Sequence, residues 1–341
     1  MLAVVKTSQG PGNVHVMEVP EPAVLPGTVK IRVRACGVCG TDVHIMHDRY
    51  PYSPPVILGH ELSGEVVEAG EGVGGVKVGD RVTAESHASI CGHCYYCKQS
   101  MEKLCTQRKA LGRAADGGMA EYLVIRADMV HRLPDNVDYS SGALTQLVAC
   151  AYHTVSERTN IRAGDIAVIF GPGATGQLVA QVAKAEGAKV IVCGTTRSKP
   201  RLELARKLGA DIVIDTQTED VAGIIQEITG GLGADVVFEC SGAPQAVEDG
   251  LNVVRKGGKF SQMGFVGKAI PINWDKLIHK DLVLRGVPGY AWSSWEGALR
   301  LVSSGQVSMS ELIGMELPLQ EWEDAFRLSE ERKAIRIILK P

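Results

Sequence analysis

Four cysteines close together, Cys91, Cys94, Cys97 and Cys105, follow the pattern C-x2-C-x2-C-x7-C. Thiolates so spaced converge on one cation from a turn, and four sulfurs complete the closed tetrahedral shell of a structural zinc. An iron–sulfur cluster uses the same short gaps and stands as the alternative. Four protein ligands leave no vertex for a substrate, so the expected ion holds a lobe together and does no chemistry. His93, inside the run, reads as a loop residue. Cys39, His60 and Glu61 are also metal-ligand types, but no local spacing rule joins the first to the other two. Singly they read as a buried thiol, a satisfied histidine and a solvated acid.

A third signal is Gly171-Pro172-Gly173-Ala174-Thr175-Gly176, which fits GxGxxG. The run IAVIF ends just before it, an amphipathic helix pattern opens at about Thr175, and a second strand pattern starts at Lys189. In that setting the glycines permit a tight turn and close approach of backbone to a pyrophosphate, which the free N–H groups of the helix start attract. An NAD-preferring site places an acid at the end of the second strand, but here that end reads Cys193-Gly194-Thr195-Thr196-Arg197-Ser198-Lys199. Gly194 leaves room, Thr195 and Thr196 can donate, and Arg197 can pair with a 2′-phosphate, so the residues favour NADP(H) within NAD(P). Met263, at the end of KFSQMGF, is a further candidate cofactor contact.

The elements that must position these groups fall into two patterns. From Asp165 onward short β-branched runs (DIAVIF, KVIVC, DIVI, DVVFEC, KFSQMGF, DLVLRGV) alternate with helical stretches. Such alternation requires parallel strands joined by crossover helices, a doubly wound sheet. Residues 1–145 instead show alternating strands and many Gly and Pro turns, as in VKIRVRACG and KVGDRVTAE, which suits an irregular, mostly antiparallel, barrel-like β domain. The expected organisation is a catalytic domain of residues 1–145 and 290–341 with a dinucleotide-binding domain of 146–289 inserted between them.

Composition excludes other classes. The 341 residues are 45% hydrophobic and 22% charged with net charge −3, an ordinary globular balance that offers no electrostatic footprint for nucleic acid. The longest apolar runs are strand-sized, so no membrane span is expected. The start, MLAVVKTSQGPG, lacks the basic, apolar and small-residue sequence of a secretory signal, and nine cysteines in clustered spacing argue for metal over disulfides. A cytoplasmic protein is expected.

GVCGTDVH at 37–44, GHELSGEVVEAGEGV at 59–73, VGDRV at 78–82, the four-cysteine lobe and GPGATG stand in an order and at distances that closely resemble the zinc-dependent medium-chain dehydrogenase/reductase family, over essentially the whole chain. The resemblance implies a GroES-like catalytic domain beside a Rossmann domain, and a homodimer or homotetramer paired through DLVLRGV. It implies a catalytic zinc held by Cys39, His60 and either Glu61 or a water, with Asp42 orienting His60. It further implies hydride transfer between a small alcohol, or its ketone, and NAD(P), with Thr41 accepting the alcohol proton and His44 relaying it. Those ligand types suit zinc, and three of them leave a position open for an alcohol oxygen.

Two departures bear on substrate. Gln146 stands where polyol and threonine enzymes carry Glu, and an amide is a poor zinc ligand, so water-mediated contact or none is expected. Gly289-Tyr290 replaces the Arg-Tyr of polyol enzymes, which weakens the case for a long or phosphorylated substrate. Tyr50, Tyr52, Tyr290 and Trp292 are candidate pocket walls. The first reading is a sorbitol- or polyol-type dehydrogenase; L-threonine 3-dehydrogenase is the rival enzyme, and a dinucleotide-binding sensor or structural protein is the rival outside catalysis.

Overall fold

The computed structural model describes all residues from Met1 to Pro341, and the chain divides into two compact units. The first holds Met1–Gln146, Ala291–Trp295 and Met309–Pro341. Its larger sheet runs, in spatial order, Val130–Arg132, Arg81–Ala84, Glu61–Ala69, Thr28–Gly37, Arg336–Lys340 and Ile313–Pro318, with Tyr122–Arg126 also paired to Thr28–Gly37. Pairing is antiparallel except between the last two strands. The strand VKIRVR explains itself by its period of two: Val29, Ile31 and Val33 are buried, while Lys30 meets Glu21 and Glu68 and Arg34 meets Glu65 on the other side. Each buried β-branched side chain contributes about 1.5–3 kcal/mol.

Register in this sheet matters most for function. Thr28–Gly37 pairs with Glu61–Ala69 so that Gly37 lies opposite Glu61, and the C-terminal strand places Ile338 opposite Gly37. Three segments far apart in sequence therefore end at one point.

The second unit, Leu147–Tyr290 with Glu296–Ser308, carries a six-stranded parallel sheet. Its spatial order is Ile212–Asp215, Lys189–Gly194, Ile166–Phe170, Ala234–Glu239, Val254–Gln262 and Val283–Gly286. The six expected strands are present, and the order reverses between the third and fourth, which opens the crevice where doubly wound sheets bind ligands. The boundary near residue 290 differs from expectation, because Glu296–Ser308 packs with the dinucleotide unit. Gly297 lies against the Tyr152 ring, where a Cβ would come within 2.2 Å, and Gln181 exchanges two hydrogen bonds with the Ser308 backbone. Ala291–Trp295 stays with the first unit, where Trp295 stacks on His131 at 4.8 Å. Tyr290, at the end of the second unit's main segment, is 1% exposed.

Candidate metal centres and cofactor cradle

The turn after Gly37 enters a short helix, Gly40–Met46, with Cys39 at its N-cap. Asp42, fully buried in the first turn, accepts from the Cys39 N–H at 2.9 Å and from the Gly59 N–H at 3.3 Å, and its Oδ1 lies 3.6 Å from His60 Nδ1. One carboxylate thus fixes the backbone on both sides of the pair and occupies the inner face of the imidazole, leaving Nε2 for a cation. Gly59 has φ +91, and a Cβ there would meet Cys36 Sγ at 2.7 Å, so only glycine makes the bend that presents His60.

Ligand atoms of Cys39, His60 and Glu61 lie within 4.8 Å of one another. Glu61 is fully buried, yet neither carboxylate oxygen accepts a hydrogen bond, and His60 Nδ1 has none either. A buried carboxylate without hydrogen bonds is costly, and a metal cation would satisfy it together with Cys39 and His60. Burial by itself pushes the His60 imidazole down, but Asp42 and Cys39 reverse the direction and hold it well above its ordinary range, a sign of strong local negative potential. The donor set fits zinc.

Arg336, on the C-terminal strand, is the site residue that sequence reading missed. It is buried, donates through Nη1 to Val38 O at 2.9 Å, and brings Nη2 within 3.3 Å of Glu61 Oε1. Burial opposes its charge, while Glu61, Cys39 and Asp42 favour it and hold the guanidinium above its usual value. No spacing announces this arginine; only strand pairing does. Gly37 is equally hidden: a Cβ there would meet Glu61 Oε2 at 2.6 Å and Leu144 at 3.3 Å. The stretch leading to Gln146 therefore packs beside the cluster, and Gln146 itself is half-buried at the start of the Thr145–Tyr152 helix.

Thr41 and His44 are three residues apart on the Gly40–Met46 helix and share a face. Thr41 Oγ1 lies 3.7 Å from Cys39 Sγ, and His44 is exposed. The pair spans from the metal cluster to water.

The other cysteines also gather. Cys91 Sγ is 3.9 Å from Cys97 and 3.6 Å from Cys105, and Cys94 is 3.5 Å from Cys97. A regular tetrahedron with Zn–S bonds of about 2.3 Å has edges of about 3.8 Å, so these separations fit one ion. His93 is exposed and bonds the Cys91 carbonyl at 2.7 Å, outside the shell.

In the second unit the Ile166–Phe170 strand turns at Gly171, φ +97, into the Ala174–Ala185 helix, whose N-cap is Gly173. A Cβ on Gly176 would fall 1.9 Å from the Gly171 carbonyl, so the third glycine lets the helix close on the strand. Met263 sits at the same edge, its N–H bonded to the Glu239 carbonyl. Gly194 is small for a reason beyond leaving room, since the Pro172 ring fills that space at 2.8 Å from where a Cβ would stand. The Thr196 hydroxyl is also committed, donating to Asp215 at 2.7 Å, and that bond foremost holds the Asp215 carboxyl below the usual carboxylate range. Asp215 is an acid beside the Thr195–Arg197 loop that inspection of the second strand alone overlooks. Its position follows from the parallel register, Gly194 opposite Asp215.

Known proteins resemble this chain over its length. The family described as "Zinc-binding dehydrogenase" matches residues 174–304, and "Alcohol dehydrogenase GroES-like domain" matches residues 25–135. The chain belongs to the zinc-binding dehydrogenases. This dehydrogenase is 43% identical to a sorbitol dehydrogenase of Halalkalibacterium halodurans over 100% of its own length and 99% of that protein's. It is 37% identical to a D-arabitol-phosphate dehydrogenase of Enterococcus avium, covering 100% and 97%. It is also 37% identical to an L-threonine 3-dehydrogenase of Pyrococcus horikoshii, covering 99% and 98%. Among solved structures, a protein described as a zinc-binding dehydrogenase from Sinorhizobium meliloti, bound to NADP, superposes with TM-score 0.90 at 31% identity, covering 100% and 99%. The 2R,3R-butanediol dehydrogenase of Bacillus subtilis superposes equally, TM-score 0.90, 31% identity, covering 100% and 99%. The chain is therefore an oxidoreductase that uses zinc and NAD(P) to interconvert an alcohol and its carbonyl, and the reading as a binder without chemistry falls. No helix is long and apolar enough to cross a membrane.

Proposed function

We propose that the enzyme oxidises a secondary hydroxyl of a polyol, or reduces the corresponding ketone, at a catalytic zinc held by Cys39, His60 and Glu61, with a structural zinc on Cys91, Cys94, Cys97 and Cys105. The observation that carries this reading is the buried, unbonded Glu61 carboxylate beside Cys39 and His60. The sorbitol and arabitol-phosphate relatives support the substrate class. Held by these residues, zinc would supply Lewis-acid polarisation of the substrate oxygen and NAD(P) would supply the hydride acceptor or donor. Asp42 fixes the backbone at Cys39 and Gly59 that presents the ligands and lies beside His60 Nδ1, and Arg336 shares the charge of Glu61. Thr41 Oγ1 takes the hydroxyl proton as it passes its own towards His44, which hands a proton to water, along the helix face the two share. His44→Ala is expected to slow turnover about tenfold, with partial recovery on adding free imidazole. An unchanged rate removes His44 from the path.

Gly171, Gly173, Ala174, Thr175 and Gly176 hold the pyrophosphate, with Met263 at the cradle's edge. Gly194, Thr195, Thr196 and Arg197 receive the adenosine ribose and favour NADP, as in the relative bound to it. Arg197 works against the nearby Asp215 charge, so Arg197→Gln should lower the NADP-to-NAD ratio of kcat/KM by about tenfold or more. A wild-type enzyme that prefers NAD refutes this assignment.

Threonine oxidation is the second reading, favoured by the Pyrococcus relative and opposed by Gln146 in place of the expected carboxylate. Sorbitol, xylitol, butanediol and L-threonine, each with both cofactors, separate the two. Turnover of threonine alone reverses the order. The Val283–Gly286 edge strand is exposed along its length beside exposed Trp274 and Ile278, which supports pairing of copies into a cytoplasmic dimer or tetramer. A single-chain mass by light scattering would refute that assembly.

A further inference from the structure

The first unit contains a cavity of about 330 Å³ between the loop after the Gly40–Met46 helix and the four-cysteine lobe. Lys103, Arg108 and Arg113 line it together with Tyr52, Ser53 and Cys105 of the four-cysteine group, and no carboxylate does. Two of the three cations are held in place. Arg113 stacks on Tyr50 at 4.3 Å and donates to the Pro51 carbonyl at 3.1 Å, while Arg108 Nε donates to His87 Nδ1 at 2.8 Å. His87 is buried, and burial together with Arg108 and Lys103 pushes its imidazole down to about 3. It is therefore a neutral acceptor that orients Arg108 and subtracts nothing from the positive potential. Asp48 is a carboxylate in contact with the lining, accepting from the Tyr52 hydroxyl at 2.7 Å.

Gly112, beside Arg113, packs on Gly59, where a Cβ would meet the Gly59 N at 2.9 Å, and Gly59 precedes His60. A cavity that gathers two held guanidinium groups and an ammonium, with Arg113 one residue from the Gly112–Gly59 contact that precedes His60, suits a tetrahedral dianion carried by the substrate. The volume exceeds that of a lone ion and admits part of a carbon chain as well. We propose that this cavity is the phosphate subsite for a phosphorylated polyol. The inference rests on the polyol reading above.

The test uses the zinc-loaded enzyme with saturating NADP, so that the cofactor site is closed to phosphate. D-Arabitol and sorbitol are compared with their terminal phosphates in wild type, Lys103→Gln, Arg113→Gln and Arg113→Lys. The phosphates should show KM values at least tenfold lower than the free polyols, a margin of one charge-assisted contact. Lys103→Gln and Arg113→Gln should each raise the phosphate KM by about tenfold or more and move free-polyol kcat/KM by less than about twofold, with Arg113→Lys between wild type and Arg113→Gln. Inorganic phosphate should inhibit free-polyol turnover competitively in wild type and weakly in the Gln variants. Equal KM values for free and phosphorylated polyols, or equal losses on both, overturn the subsite while leaving the polyol reading standing. If no polyol of either kind turns over, the polyol reading fails, and the phosphate-polyol subsite fails with it. Inhibition by inorganic phosphate without any preference for the phosphorylated polyol makes the cavity a site for the free anion only and also overturns the proposal.

Discussion

Cys39→Ala is expected to bring the zinc content of the purified enzyme from two ions per chain, one for each ligand group, down to one, and to abolish most turnover. Cys39 offers the thiolate of the cluster, and without it His60 and Glu61 provide only two donors on one side of the ion. Lewis-acid polarisation of an alcohol oxygen contributes several kcal/mol, and each ~1.4 kcal/mol is tenfold, so kcat/KM should fall by about 10³-fold or more. The fold should survive, because Cys39 caps only a short surface-reaching helix whose N-terminal contact runs through its backbone to Asp42. Zinc analysis beside circular dichroism checks this. Two zincs per chain with wild-type turnover would show that the cluster is not the reaction centre.

Cys97→Ser should produce the largest stability effect. The segment from Cys91 to Cys105 has almost no core of its own: its helical turns Tyr95–Lys98 and Glu102–Leu104 contain no buried residue, and Tyr95 and Leu104 are exposed. Sulfur–metal bonds must supply what apolar burial does not, and structural zinc binding in isolated small domains is worth about 10–16 kcal/mol. Losing one of four ligands should unfold the lobe locally. Tryptic cleavage at Lys98 and Lys103 should accelerate by about a hundredfold, since cleavage of an opened segment follows its opening equilibrium. The parallel-sheet unit should keep its own unfolding transition. Because Lys103 and Arg108 hang on the same lobe, recognition of a phosphorylated substrate should fail with it, while the Cys39 cluster keeps its zinc. Undiminished resistance to trypsin after loss of the ion would mean that packing alone holds the lobe.

Much of this was legible in the residues. The four cysteines lie close enough in sequence for spacing alone to define one ion, and GPGATG reads as a phosphate turn because strand, turn and helix are contiguous. The first metal ligand group was legible only by resemblance. Cys39 and His60 meet because Gly37 pairs with Glu61 across two antiparallel strands, and register between strands is decided by the whole apolar pattern of the sheet rather than by any local spacing. Arg336 and Asp215 escaped for the same reason, one arriving on the last strand of the chain and the other on a neighbouring parallel strand. Residues 296–308 were placed in the wrong unit by position in sequence, since the Gly297–Tyr152 contact that assigns them has no periodic signal.

Taken alone, the sequence determined everything that short-range geometry can carry: the alternation that makes one sheet parallel, the sulfur shell and the glycine turn. Tertiary structure decided what depends on chain segments meeting across distance: the bare Glu61 carboxylate beside Arg336, the acid opposite Gly194, and the cations gathered around one cavity. Local rules act through a few covalent bonds and fixed backbone angles, whereas charge and burial depend on every neighbour that packing brings near.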